Sequence, residues 1–239
     1  MAASINASPV HRERDLLGQT VLVIGGSSGI GLETARLAHA RGAGIILTAR
    51  NPDRLHRAGL ALGASIAAFD ATDFDRLERC FDALPRAIDH LLVTGPGPCY
   101  APLSEFDLAA ARRDIDAHLL LPLQVAKDAA SKVRPAGTVL FMDGVSGRRT
   151  AAGLSLIAAL TAGLPAMTKA LALEIAPVRV NLIAAGLAGT PLPAKPLSGE
   201  IDGPRGRPAD IAALAIHLMT NTAVTGATFG IDGGQLVGG

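Results

Sequence analysis

The chain has 239 residues, is 49% hydrophobic and 3% aromatic, and carries a formal net charge of +1. That length suits one large α/β unit or two small ones, with a core built mostly of aliphatic side chains and alanine. So even a charge balance gives no electrostatic footing for a nucleic acid or a membrane surface.

Residues 1–15 are small, polar and charged and are expected to form a flexible tail, leaving 16–239 as a single domain. Short apolar runs with β character fall at 20–24, 44–48, 65–69, 90–94, 138–142, 179–183 and 228–231. Longer stretches of helical character lie between them at 31–41, 73–84, 105–132, 154–176 and 208–220. This alternation predicts an α/β fold, a Rossmann-type doubly wound parallel sheet with helices on both faces. No apolar leader stands near Met1 and no apolar run reaches about 18 residues, so a soluble cytoplasmic protein is expected. The cysteines, Cys80 and Cys99, stand in no CxxC pattern and the histidines are scattered, so no metal site is expected.

Residues 24–31 read IGGSSGIG, after the apolar run Val21-Leu22-Val23 and before a helix. Strand, glycine turn and helix together make a site for a dinucleotide pyrophosphate. Gly25, Ser27, Ser28, Gly29, Ile30 and Gly31 are its expected contacts, because glycine allows positive φ and close backbone approach. The second strand ends Leu47-Thr48-Ala49-Arg50, with an arginine and no acid. An arginine there pairs with a 2′-phosphate, so NADP(H) is favoured over NAD(H). Arg54 and Arg57 are placed to share that role. After the third strand, Asp70-Ala71-Thr72-Asp73 offers an acid to the adenine amino group, and Asp73 reads equally as a helix N-cap.

With these motifs in order, the chain resembles the short-chain dehydrogenase/reductase superfamily from about Leu17 onward. IGGSSGIG is similar to its TGxxxGxG motif, with Ile24 for the threonine, and residues 70–73 are similar to its DVTD. Arg179-Val180-Asn181, Thr225-Gly226 and Asp232-Gly233-Gly234 follow in the family's sequence. The resemblance implies about seven strands in the order 3-2-1-4-5-6-7 and an oxidoreductase acting on a carbonyl or alcohol substrate. Its NNAG segment falls on Thr94-Gly95-Pro96-Gly97, so both asparagines are replaced, and Pro96 and Pro98 are expected to stiffen the turn. Gly95, Gly186 and Thr190 are the implied nicotinamide-side contacts.

The resemblance also implies a proton-donating tyrosine, a lysine that lowers its pKa, a serine on the substrate oxygen and an asparagine on the preceding helix. Counting from Gly147 places the serine on Gly144 and counting from Glu174 places the lysine on Thr161 and the tyrosine on Ile157, and the asparagine falls separately on His118. Ile157, Thr161 and Gly144 have no acid to offer near neutral pH. Pro165 cannot donate to the carbonyl of Thr161, and a kink is expected there. Substitutes to consider are Asp143 paired with His118, and Tyr100, the chain's single tyrosine. Each also reads as an ordinary residue: a polar strand end, a helix histidine and a loop tyrosine with a wet hydroxyl. The segment 187–208, expected as the lid, is rich in proline and glycine and argues against a lid helix.

Two functions follow. One is an NADP(H)-dependent oxidoreductase with a nonstandard proton donor, and the other is a pseudoenzyme that senses the dinucleotide or serves as a partner subunit. The stretches 105–132 and 154–176 resemble the family's subunit-pairing helices, implying a homodimer or homotetramer.

Overall fold

In the computed structural model, which describes residues 15–84, 87–144, 152–186 and 207–233, the apolar side chains of β1 (Thr20–Ile24) divide between two faces. Val21 and Val23 enter one core, and Leu22 and Ile24 enter another. The same division runs through β4 (Ile88–Val93), β5 (Val133–Gly144) and β6 (Arg179–Ala185). Leu92, Leu140 and Ile183 join the first core, whereas Leu91, Val93, Val139, Phe141, Val180 and Leu182 join the second. Strands buried on both sides read as continuous apolar runs, and each face then needs its own helical layer. With β2 (Gly44–Ala49), β3 (Ser65–Ala68) and β7 (Thr228–Ile231) they form a seven-stranded sheet in the order 3-2-1-4-5-6-7, every pair parallel.

Helices α1 (Gly29–Ala40), α2 (Pro52–Leu62) and α7 (Pro208–Thr220) cover the first face. The second face carries α3 (Phe74–Asp82), α5 (Leu121–Lys132) and α6 (Ser155–Glu174), with α4 (Leu108–Ile115) leading into α5. By length and composition α6 is apolar enough to cross a bilayer. It lies on the sheet instead, with Leu164, Leu171 and Ala172 in the core.

Three elements differ from the periodicity. Helix α2 was not expected, yet its ends are written in the sequence: Asn51 accepts from the Arg54 N–H at 2.8 Å, Pro52 opens the first turn, and Gly63 closes it at φ +56°. The stretch 105–132 is not one helix. A 3₁₀ turn at Leu103–Glu105 precedes α4, and a π turn at Asp116–Leu120 separates α4 from α5, closed by the Leu121 N–H on the Asp116 carbonyl. Pro122 accounts for the widening, since it has no N–H for the His118 carbonyl and its ring crowds that carbonyl. Strand β5 also begins earlier than expected, at Val133, although its regular ladder starts at Thr138. Helix α6 continues through Pro165 as a single helix.

The sequence landmarks near β6 form one joint. Arg179 is buried and finds no carboxylate among the described residues; its Nη1 donates to the carbonyls of Leu218 at 2.9 Å and Val224 at 3.2 Å, and its Nη2 donates to Met219 at 2.9 Å and to Thr138 Oγ1. Leu218 and Met219 lie in the last turn of α7, where carbonyls lack helical partners and a cation complements the dipole. Asn181 grips the same turn through the Val224 carbonyl at 3.0 Å and the Ala227 N–H at 3.1 Å. Thr225 Oγ1 accepts from the Val180 N–H at 3.1 Å, and Gly226 N–H reaches the Val180 carbonyl at 2.7 Å.

His90 on β4 is 4% exposed, with Nε2 2.6 Å from Gln19 Oε1 and Nδ1 without a partner. Burial lowers its pKa to about 4, outweighing the opposing pull of Asp89. The unfolded chain, with an ordinary value near 6.5, therefore binds more protons between those limits. Stability is expected to fall by about 3 kcal/mol as the pH drops from about 6.5 to about 4. Urea unfolding across that range checks this, and His90→Gln should flatten that part of the profile.

Candidate cofactor and active site

The glycine turn is held tightly on its inner side. Gly25, at φ +85°, would place a Cβ against Thr94 Oγ1, and a Cβ on Gly31 would lie 2.5 Å from the Gly25 carbonyl oxygen. Thr94 explains the crowding: its N–H and hydroxyl donate to the Ile24 carbonyl at 2.9 and 3.0 Å, and the hydroxyl also reaches the Gly25 carbonyl at 3.3 Å. Behind the turn, the Gly25 and Gly26 N–H groups bond the Thr48 carbonyl at 2.9 and 3.0 Å.

The outer side is open. Gly29, at φ +54°, has no atom within 4 Å of a built Cβ, and Ser28 is extended with its hydroxyl making no cap bond. The first turn of α1 contains no acidic residue, so its N–H groups and positive dipole end face outward without a side-chain partner. Gly25, Ser27, Ser28, Gly29, Ile30 and Gly31 are thus gathered at the carboxyl end of β1, as an anion cradle requires.

Arg50 and Asp70 stand at the ends of neighbouring strands, 4.0 Å apart and both more than half exposed. An exposed pair at that distance holds Arg50 weakly, leaving its guanidinium free to turn to a ribose phosphate. Asp70 also accepts from the N–H and hydroxyl of Thr72 at 3.1 and 2.9 Å, with Ala71 between them. Asp73 caps α3 by accepting from the Arg76 N–H at 3.1 Å. Gly95 is exposed just beyond β4, and a Cβ there would lie 3.9 Å from His118 Cε1. Gly186 is buried, with its N–H on the Ile231 carbonyl at 2.9 Å. Thr190, most of the expected lid segment, and the anchor Gly147 lie outside the described residues.

Among the described residues of α6 the one lysine is Lys169, eight positions beyond Thr161. Ile157 is 1% exposed in a small apolar cluster with Leu154 and Leu160, against which Tyr100, Ile115 and Leu119 pack. Thr161 turns its hydroxyl back to the Ile157 carbonyl at 2.8 Å. Asp143 and Gly144 end β5, in register with Ala184 and Ala185 of β6. Burial raises the Asp143 carboxyl to about 7, with the Gly144 backbone opposing. His118, in the π turn, has its Nε2 buried without a partner. Its pKa is lowered by burial, against the pull of Asp114, so the imidazole is neutral at pH 7. No hydrogen bond joins His118 to Asp143; they stand as separate groups.

Sequence reasoning missed Thr94 and Asp114 as builders of this site. Asp114 is buried on α4 and accepts from the Cys99 N–H at 3.1 Å, pinning the loop that carries Tyr100. A buried acid on an otherwise apolar helix face was the available signal. A cavity of about 680 Å³, lined by Asp15, Gln19, Asp89, His90, Arg134 and His217 among others, opens at the opposite end of the sheet, where the strands begin. It has no part in the dinucleotide site.

A family model described as Enoyl-(Acyl carrier protein) reductase matches residues 24–235. The chain belongs to the short-chain dehydrogenase/reductase superfamily, a group of oxidoreductases. It is 32% identical over 247 residues to the short-chain dehydrogenase/reductase ATR9 of Stachybotrys chlorohalonatus, covering 92% of this chain and 98% of that one. Among solved structures it is similar to the MalC reductase/Diels-Alderase of Malbranchea aurantiaca, with 26% identity, a TM-score of 0.83, and coverage of 95% and 99%. BdcA, solved in complex with NADPH, is likewise 26% identical with a TM-score of 0.84, over 92% of this chain and 95% of BdcA.

The two sides of the turn predict different outcomes. Gly25→Ala is expected to cost about 2–3 kcal/mol of stability in urea unfolding, through its clash with Thr94. Gly29→Ala should cost only about 1 kcal/mol, from its left-handed φ. It should nevertheless weaken NADPH binding roughly tenfold or more, because its methyl enters the space left for the phosphates.

Proposed function

We propose that the protein binds NADP(H) and catalyses hydride transfer between the nicotinamide and a carbonyl or alcohol substrate, with Asp143 as proton donor in place of a tyrosine. The observation that carries the reaction is the half-buried carboxyl at the end of β5, raised to about 7 one residue from the position counted as the family's serine. A group that titrates near the working pH is suited to general acid catalysis. The outward-facing start of α1 is the proposed pyrophosphate seat, Arg50 the proposed 2′-phosphate partner, and Asp70 the adenine partner. When bound, NADPH supplies the hydride. Asp143, protonated, donates to the oxygen on which charge develops and is left as a carboxylate that solvent reprotonates. His118, neutral and with Nε2 unpaired, is placed to pass protons toward the cleft.

A second reading has its own support: Ile157 is packed into an apolar cluster and Thr161 bonds its own helix, which suits a dinucleotide-binding pseudoenzyme. Self-association through α4, α5 and α6 is proposed in either case, since Leu108, Leu120, Leu123 and Leu173 are exposed at 55%, 39%, 41% and 81%. Sedimentation giving a monomer would end that part of the proposal.

Fluorescence titration of NADPH, followed by assays against a ketone and alcohol panel, separates the readings. The expected reductase rate falls as pH rises through about 7, because the donor must be protonated, and Asp143→Asn removes that limb. Tight binding with no turnover across the panel would favour the pseudoenzyme. Arg50→Ala should weaken NADPH about tenfold and leave NADH unchanged; equal losses for both would remove the 2′-phosphate assignment.

A further inference from the structure

The loop that leaves β4 is held at its two ends. Thr94 fastens its start to β1, with the N–H and the hydroxyl donating to the Ile24 carbonyl at 2.9 and 3.0 Å. Pro96 and Pro98 have no N–H to give, and residues 95–98 make no hydrogen bond to any described residue. The first N–H beyond them, that of Cys99, donates to the Asp114 carboxylate on α4 at 3.1 Å. Asp114 is 9% exposed, so the bond forms largely away from water, where a charged acceptor holds a donor firmly. One helical turn after Asp114, His118 Cε1 lies 3.9 Å from a Cβ built on Gly95. Helix α4 and the π turn thus meet this strap at both ends.

We propose that Asp114 is a positioning residue, whose carboxylate fixes the strap at residues 95–99 and through it the fit of the nicotinamide half of the cofactor. The assignment rests on the cofactor reading above. Strand order gives the direction. Arg50 and Asp70, the proposed adenosine partners, stand at the ends of β2 and β3, to one side of the glycine turn on β1. A dinucleotide seated on that turn extends its other half to the opposite side, over the carboxyl ends of β4 and β5, where the strap and Asp143 lie. Two prolines already stiffen the strap, so holding Cys99 leaves little of it to move. Asp114 acts on the ligand through this backbone and has no need to touch it.

Adenosine 2′,5′-bisphosphate carries the adenosine half and no nicotinamide, so it separates positioning from a general loss of fold. Its affinity and that of NADPH are measured by calorimetry on the full-length protein and its variants. Asp114→Ala is expected to weaken NADPH about fivefold and to leave the bisphosphate within about twofold, whereas a loosened fold would weaken both. Asp114→Asn keeps a carbonyl oxygen for the Cys99 N–H and should bring NADPH back to within about twofold of the unaltered protein. Where Asp114→Ala does not fold, Pro96→Gly on the exposed part of the strap carries the test, with a loss of about threefold expected for NADPH alone. Equal effects on the two ligands, including none on either, or an Asp114→Asn protein as weak as Asp114→Ala, would overturn the proposal while leaving the cofactor reading intact. An unaltered protein that binds neither ligand overturns both.

Discussion

The structure depends on a close approach at the carboxyl end of β1. Thr94 ends β4 by bonding the Ile24 and Gly25 carbonyls, and the resulting space admits no side chain at Gly25 and none at Gly31. Gly26 is pressed from the other side, where a Cβ would lie 2.7 Å from Leu47 of β2. The turn is thus clamped between β2, β4 and the start of α1. Because its inner face is filled, its only free side is the outer one, at Ser28 and Gly29. One steric constraint sets the spacing of three strands and aims the unpaired end of α1 at a ligand.

The far end of the sheet is closed by a polar joint. Arg179, Asn181 and Thr225 satisfy carbonyls at the end of α7 and in the turn after it, so buried backbone groups there are paired. A guanidinium without a carboxylate is unusual in a core, but five donors aimed at carbonyls and a hydroxyl satisfy it well.

Ile157 sits in an apolar cluster and Thr161 bonds its own helix, and low polarity raises the pKa of any carboxyl buried nearby. Asp143 is raised to about 7 by burial, against the opposing hydrogen bond of the Gly144 backbone. The π turn caused by Pro122 carries His118 beside Gly95, where its ring nitrogen stays unpaired.

The parallel sheet, its two helical layers and the glycine turn were legible from the sequence because each is a local pattern of alternation, amphipathic spacing, or glycine where a Cβ has no room, while the strand order followed from the family resemblance. Helix α2 was legible too, in Asn51, Pro52 and Gly63, but its short weakly apolar run hid it from periodicity. The break at residues 116–120 escaped notice because a single proline, Pro122, outweighed a long helical pattern. The sequence by itself determined the family, the parallel sheet and the glycine turn after β1. Only the tertiary structure decided the environment of Asp143, the seating of Tyr100 on Ile157 and the role of Thr94, because burial and contact between distant segments are properties of the folded chain and leave no mark on local spacing.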